Sequence, residues 1–430
     1  MKQRSYSEAV DALFTQLPMF QRQGPAAYKA NLDGTRRVCR ALGNPEKALK
    51  VVHVAGTNGK GTVSHMVAAA LQRAGHVTGL FTSPHLVDFR ERIRVNGEVI
   101  SEDEVVAFVD RWQAGEGWGE PSFFELTFGM ALDHFRRRGC GIVVLETGMG
   151  GRLDSTNVVP SPEVCVITNV GLDHQAFLGT TVRAIAREKA GILKDGVPVV
   201  LGPMRPEAQS EILLASLRTA SEVHAASEAS LEGVALPERP SPFEVANRQT
   251  AWTAMHVLAP AWNLTPDDMR WALQSHKDAT HQAGRWQWVD LPQQAAVVLD
   301  GAHNLDGVAG TVRGVVEVCQ ARGGALHVVW GSVADKDLSD VLDLLPLEAS
   351  YRWCQADIPR ALDAEELSTR RPALRGTVHR RPVDALLAAL RAARAEDVVW
   401  VGGSLFVVGD VLKDAPDVVP DWPTRERLGT

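Results

Sequence analysis

Apolar and polar positions alternate in blocks along this chain. Short apolar runs of strand length occur at 51–55, 78–81, 141–146, 164–169 and 198–202. Each is bounded by glycine, proline or polar residues, which predicts a buried strand. Between these runs apolar residues recur at helical spacing, as over 102–112 and 125–138. After Lys60, the residues Val63, Met66, Val67, Ala70 and Leu71 fall on one helical face. Strand and helix in alternation predict an α/β protein with a mostly parallel sheet and helices on both faces. Residues 227–242 are rich in Ser, Glu and Pro and read as a surface excursion. Helical spacing returns over 247–259, and a second alternating block follows, with strands expected at 296–299, 326–329 and 397–401. The expected organisation is an N-terminal domain over 1–279, a linker over 280–292 and a smaller, Rossmann-like α/β domain over 293–430.

Composition narrows the possibilities. The chain has 430 residues, enough for two or three domains, and 45 % of them are hydrophobic. A net charge of −7 implies no basic face for nucleic acid. The start, over 1–17, has no apolar signal region. The longest apolar stretch, 398–409, contains Gly402 and Gly403 and is broken by Asp410, which is too short to span a bilayer. Cys39, Cys140, Cys165, Cys319 and Cys354 are scattered and include no C-x-x-C pair. These features lead us to expect a cytoplasmic monomer with no nucleic-acid or membrane partner.

The densest chemistry lies between the first strand and the first long helix. Gly56, Thr57, Asn58, Gly59, Lys60, Gly61 and Thr62 form a glycine-rich turn there. Such a turn aims N–H groups at one place, and the helix start adds positive potential. Lys60 supplies a cation for outer phosphates, and Thr62 a hydroxyl for Mg²⁺. This predicts an ATP-type site and makes the N-terminal domain P-loop ATPase-like. The spacing is unusual: Gly61 separates Lys60 from Thr62, and Val54 stands where a first glycine is common.

Other polar groups collect at expected strand ends, where ligands bind in open α/β sheets. Ser83 is a hydroxyl in a Ser-Pro turn and a possible oxygen ligand. Glu146 closes an apolar strand, where a carboxylate is costly unless it meets a cation or caps the next loop. Mg²⁺ held by Thr62, Ser83 and Glu146 would satisfy it with hard oxygen ligands. His174 follows the next strand and is either a ligand or a solvated loop residue. Lys189 sits on a short helix ended by Gly191, where an exposed lysine is ordinary. Phe123 and Phe124 offer rings either for stacking or for the core.

Several words of this sequence, in order, resemble the Mur-type amide ligases, and within them the folylpolyglutamate synthase/dihydrofolate synthase family. They are GTNGKGT at 56–62, FTSPHL at 81–86, SFFE at 122–125, GGRLDSTN at 150–157, REKAGI at 187–192 and DGAHN at 300–304. The resemblance runs from Ala55 to about Gly409 and is poorest over 205–241. It implies that the 1–279 domain binds ATP and a pterin and that the C-terminal domain is a glutamate-ligase domain. Ser122, Phe123, Phe124, Glu125, Leu153, Asp154 and Ser155 are implied to line the pterin pocket, with both oxygens of Asp154 on the ring edge. Lys189 is implied to be carbamylated with CO₂ and to hold a second Mg²⁺ beside His174, so that Lys60, His174 and Lys189 form the catalytic set. Asn247, Arg285 and Asp300 are implied ATP contacts, and His303 belongs to the glutamate domain. Leu305 and Ala283 replace prolines of the family pattern, and Gln287 stands near an expected acid.

The implied activity is ATP-dependent ligation of L-glutamate to dihydropteroate, to reduced folates or to both, in folate biosynthesis and one-carbon metabolism. It would proceed through an acyl phosphate and release ADP and phosphate. A Mur-type cell-wall amino-acid ligase and a P-loop kinase or ATPase are the alternatives.

Overall fold

The computed structural model of the chain describes residues 4–19, 31–231 and 233–424. It divides into two compact units. The first comprises Met1–His85, Phe89–Leu236 and Val245–Thr280; the second comprises Leu86–Asp88, Pro237–Glu244 and His281–Thr430.

The first unit is built on eight strands: β1 (Val51–Ala55), β2 (Thr78–Phe81), β3 (Ile93–Val95), β4 (Glu98–Val99), β5 (Ile142–Glu146), β6 (Val164–Ile167), β7 (Val199–Leu201) and β8 (Val223–Ala225). Their order is β4-β3-β2-β5-β1-β6-β7-β8, and all pairs are parallel except those made by β3. Every residue of β1, β5 and β6 is buried, as expected for central parallel strands covered on both faces. Alternate residues serve opposite faces. Val51, Val143 and Leu145 pack with the helix Phe123–Arg137, while Val52, Val54 and Val144 pack with the helix Lys60–Arg73. Val54 is in register with Glu146, and Ala55 with Ile167. The turns after β1, β5 and β6 therefore leave the sheet at one edge and at one level.

Some details differ from the sequence expectation. The helix Lys60–Arg73 is not one-faced, because every residue from Val63 to Leu71 is buried. Its second face is covered by Met269, Ala272 and Leu273 of the helix Pro266–Thr280, about two hundred positions away and invisible to local periodicity. Strand β6 stops at Ile167, so Thr168 and Asn169 belong to the following loop. The β3–β4 hairpin turns through Asn96 and Gly97, both at positive φ (50° and 84°), where these residue types are best tolerated.

The second unit carries β9 (Gln287–Val289), β10 (Ala296–Leu299), β11 (Leu326–Trp330), β12 (Ser350–Trp353), β13 (Gly376–Val378) and β14 (Val398–Gly402). The order is β13-β12-β11-β14-β10-β9, and only β9 runs antiparallel to its neighbour. Asp397 precedes β14 and does not join it, because its carboxylate accepts from the Ala325 and Arg394 amides at 2.7 and 2.8 Å. The 227–242 stretch is mostly exposed, yet Arg239 in it lies over the Trp288 ring at 4.5 Å and pairs with Asp290. All five cysteines are free and buried, and no helix among the described residues is long and apolar enough to cross a membrane.

Candidate active site

The glycine turn after β1 is held by the loop that follows β6. The Thr57 amide donates to the Asn169 carbonyl at 3.0 Å, and the Asn58 amide to Asn169 Oδ1 at 2.8 Å. Thr168 Oγ1 donates to the Asn58 carbonyl at 2.6 Å. Thr57 Oγ1 accepts from the Gly171 amide at 2.9 Å and donates to the Gly171 carbonyl at 3.2 Å. A Cβ on Gly56 would collide with Thr168 Oγ1, and one on Gly59 with Asn247 Oδ1, so both glycines are required by close approach. Asn247, on the helix Glu244–Trp262, is thereby placed against the turn. Gly59 is the N-cap of the helix Lys60–Arg73 at φ 81°, and it provides no side-chain cap. The first-turn N–H groups of this helix are the kind of donor that anions take up. Lys60 Nζ lies 3.2 Å from the Thr57 carbonyl, with Gly61 and Thr62 following it, all partly exposed. Thr168 and Asn169 carried no functional signal in the sequence beyond their place at a strand end.

At the same edge Glu146 ends β5 with only 3 % of its surface exposed. Its Oε2 accepts from the Ser83 amide at 3.0 Å, which brings two of the expected metal ligands together. Arg92, 2 % exposed, lies close enough to Glu146 to feel its charge, and burial pushes the guanidinium down to about 10. Its Nε donates to His85 Nδ1 at 2.7 Å, and it lies over the Phe123 ring at 5.2 Å. Among the described residues no three His, Cys, Asp or Glu side chains cluster as a metal site. The donor set at Glu146 and Ser83 is instead carboxylate plus hydroxyl, which suits a hard cation such as Mg²⁺.

Lys189 is not an exposed lysine. It is 3 % exposed, near the end of the helix Val182–Ala190, and its Nζ donates to the Gly56 carbonyl at 2.6 Å. Burial, with Lys60 nearby, pushes its pKa down to about 7, while Asp173 and Asp154 act the other way. His174 is partly exposed at φ 50°, and its amide donates to Asp173 Oδ1 at 2.9 Å.

The expected pterin words acquire different tasks. Ser122 and Glu125 form the capping box of the helix Phe123–Arg137: the Glu125 amide donates to Ser122 Oγ at 3.3 Å, and the Ser122 amide to Glu125 Oε2 at 2.6 Å. Glu125 is buried against Gly34. Phe123 is core, packed on Phe14 and Phe89. Of the two phenylalanines, Phe124 is partly exposed, with its ring on Phe81 at 5.7 Å and against Gly148. Asp154 is buried, and desolvation raises its pKa. Its Oδ2 accepts from the Met149 amide at 2.9 Å; its Oδ1 accepts from the Thr156 amide at 3.0 Å and the Thr156 hydroxyl at 2.6 Å. Both oxygens thus take part in building their own turn. Ser155 is buried and accepts from Thr35 Oγ1 at 3.0 Å, while Leu153 is partly exposed.

In the second unit Asp300 directly follows β10. Its Oδ2 accepts from the Trp286 amide at 2.8 Å, and its Oδ1 from the Ala302 amide at 3.0 Å and Thr311 Oγ1 at 3.2 Å. Desolvation raises its pKa and Arg285 opposes the rise. Gln287, the substitute for an expected acid, accepts from the Gly284 amide at 2.7 Å through its side-chain oxygen. His303 Nδ1 is 2.8 Å from the Gly301 carbonyl. Leu305 is the first residue of the helix Leu305–Arg322, whose N-cap is Asn304. Proline is favoured at that position but leucine forms it as well, so the departure leaves the element intact.

Comparison with known proteins follows the two units. Residues 54–201 match the Mur ligase middle domain, and residues 284–405 the Mur ligase glutamate ligase domain. The dihydrofolate synthase/folylpolyglutamate synthase of Bacillus subtilis is 33 % identical over 422 residues, 90 % of this chain and 95 % of that protein. A probable bifunctional folylpolyglutamate synthase/dihydropteroate synthase of Haloferax volcanii is 36 % identical over 94 % of this chain, which spans half the length of that relative. The Escherichia coli FolC structure in complex with DHPP and ADP superposes with a TM-score of 0.81 at 27 % identity, covering 96 % of this chain and 98 % of that one. A bifunctional folylpolyglutamate synthase/dihydrofolate synthase with Mn, AMPPNP and L-glutamate bound gives a TM-score of 0.81 at 28 % identity, with the same coverage.

Proposed function

This chain belongs to the folylpolyglutamate synthase/dihydrofolate synthase family of Mur ligases, and from that membership we propose that it joins L-glutamate to dihydropteroate and to reduced folates through an acyl phosphate. It is an ATP-dependent ligase. The observation that carries the finer reading is one sheet edge bearing an uncapped helix start with Lys60 and the buried Glu146 carboxylate beside Ser83.

A carboxylate resists attack by an amine because oxide is a poor leaving group. An oxygen of the substrate carboxylate attacks the γ-phosphorus of ATP, the bond to ADP breaks, and an acyl phosphate forms. The glutamate amine then attacks the acyl carbon, phosphate leaves with the bonding pair, and the ammonium proton is lost to give the amide. Lys60 and the first-turn N–H groups of Gly59–Thr62 neutralise the moving phosphoryl group. Asn247 positions the turn at Gly59. Thr62, Ser83 and Glu146 would hold one Mg²⁺, and His174 with a carbamylated Lys189 a second. Bound Mg²⁺ supplies charge neutralisation on phosphate oxygens. A neutral amine is the form that takes up CO₂, and a pKa near 7 makes that form plentiful. Phe124 stacks on the pteridine ring, and the turn built by Asp154 shapes its pocket. Arg285 is the linker cation for ATP phosphates, and in the second domain Asp300 orders the strand-end turn and His303 serves the glutamate side. The domains of this reading are 1–279 for ATP and pteridine and 293–430 for glutamate ligation, in a cytoplasmic monomer.

The test is a coupled ADP assay on purified protein with L-glutamate and either dihydropteroate or tetrahydrofolate. Glutamate-dependent ADP release with both acceptors is expected. Turnover with a UDP-sugar acid alone would overturn the substrate, and ADP release independent of glutamate would overturn the ligase step.

A further inference from the structure

We propose that Thr168 and Asn169 are positioning residues for the ATP loop, gripping Asn58 by both its amide and its carbonyl so that phosphate is offered only the N–H groups from Gly59 onward. The inference rests on the ATP-loop reading above and adds residues that the loop's own sequence does not contain.

Thr168 is 4 % exposed, and its hydroxyl is in place to donate to the Asn58 carbonyl at 2.6 Å. The neighbouring Asn169 takes the Asn58 amide on its side-chain oxygen at 2.8 Å and the Thr57 amide on its carbonyl at 3.0 Å. Two consecutive residues thus satisfy three backbone groups of a turn that has no regular secondary structure. The grip is close: Thr168 Oγ1 occupies the place a side chain on Gly56 would need, so this placement of the threonine requires the glycine. The Thr168 amide also donates to the Ala55 carbonyl at 2.9 Å, which fixes the register of the grip to the end of β1.

The consequence is selective. A glycine-rich turn is conformationally free in the absence of ligand, and an anion must order it at an entropic cost. Holding the turn beforehand removes that cost from nucleotide binding. It also turns the Thr57 and Asn58 amides toward the β6 loop. Lys60 and the amides of the helix start are left as the donors facing an anion. The glutamate and pteridine contacts lie on other elements, so loss of the grip must act on nucleotide and spare the other substrates.

Thr168→Val keeps shape and removes the donor, Thr168→Ser keeps the donor, and Asn169→Ala removes the side-chain acceptor. We expect Thr168→Val and Asn169→Ala each to weaken ADP binding, read by calorimetry on the full chain, by about tenfold, the size of one hydrogen bond's worth of lost order. ATP KM should rise in parallel, with glutamate KM within twofold of wild type, and Thr168→Ser should bind ADP like wild type. Thermal melting identifies any variant that fails to fold, and the remaining one then decides. Wild-type ADP affinity in folded Thr168→Val and Asn169→Ala would overturn the grip, as would equal losses in ATP and glutamate KM. A wild-type protein that binds no ADP would overturn the ATP-loop reading itself, which is a separate result.

Discussion

The side-chain nitrogen of Lys189 lies 2.6 Å from the carbonyl oxygen of Gly56. It ties the end of a helix near residue 190 to the first glycine of the glycine-rich turn after β1. The tie is made in a dry place, and burial pushes the lysine down to about 7 from its usual 10.5. Between those values the unfolded chain binds a proton that the folded chain has shed. Stability therefore rises with pH across that window, and the penalty is at its fullest below pH 7. Lys189→Met should flatten the rise. Denaturant melts of both proteins at about pH 6.5 and about pH 9 check this; an unchanged slope in the variant would show that Lys189 titrates normally.

For catalysis, Lys189→Ala should lose nearly all turnover. Short carboxylic acids should restore part of it, because they can supply the oxygen ligand that a carbamate would. The rescue should appear in kcat and leave ATP KM where it was. Full activity without added acid would remove Lys189 from the reaction.

Lys60→Ala should fold normally and fail to ligate. Losing one charge-stabilising contact to a transferring phosphoryl group raises the barrier by about 3–5 kcal/mol. Circular dichroism and single-turnover ADP release are the paired measurements. Near-normal release from a folded variant would mean that Lys60 does not face the phosphates.

Ser122 and Phe124 are two residues apart and should separate cleanly. Ser122→Ala removes a capping box and should cost about 1 kcal/mol of stability, with pteridine KM unchanged. Phe124→Ala should raise pteridine KM and leave the KM of ATP and glutamate alone. A KM effect from Ser122→Ala exceeding that of Phe124→Ala would reverse the assignment.

Asp154→Ala orphans the Met149 and Thr156 amides inside a buried turn. Each unsatisfied group costs about 1–3 kcal/mol, so the melting temperature should fall markedly. Pteridine KM should rise with it if, as proposed, the turn shapes the pteridine pocket. A variant as stable as wild type would show that Asp154 does not build the turn.

Much of this was legible in the sequence. The strands at 51–55, 78–81 and 296–299 match their observed ranges, because all three are fully buried and read as short runs with sharp polar ends. The glycine turn was equally plain: close approach of Thr168 and Asn247 requires glycines there, and lysine among them has no packing reason. The short edge strands β8, β9 and β13 escaped notice because three residues of mixed polarity carry no period.

The amino-acid order carries the set of elements and the succession of chemical words along them. Local pattern encodes both, through apolar periodicity and through residue types that suit one chemistry. The fold settled which side chains of those words are tied to other parts of the chain. Ser122 and Glu125 became a cap, and Asp154 turned inward on its own loop. Lys189 went from an apparent surface position to a buried one. Thr168 and Asn169 became partners of a turn about 110 residues away. For Lys189, Thr168 and Asn169 the partner is a residue more than a hundred positions away, whereas Ser122, Glu125 and Asp154 are held by bonds within their own turns. Short polar side chains can serve a backbone or a ligand equally well, and only the neighbours brought by the sheet determine which.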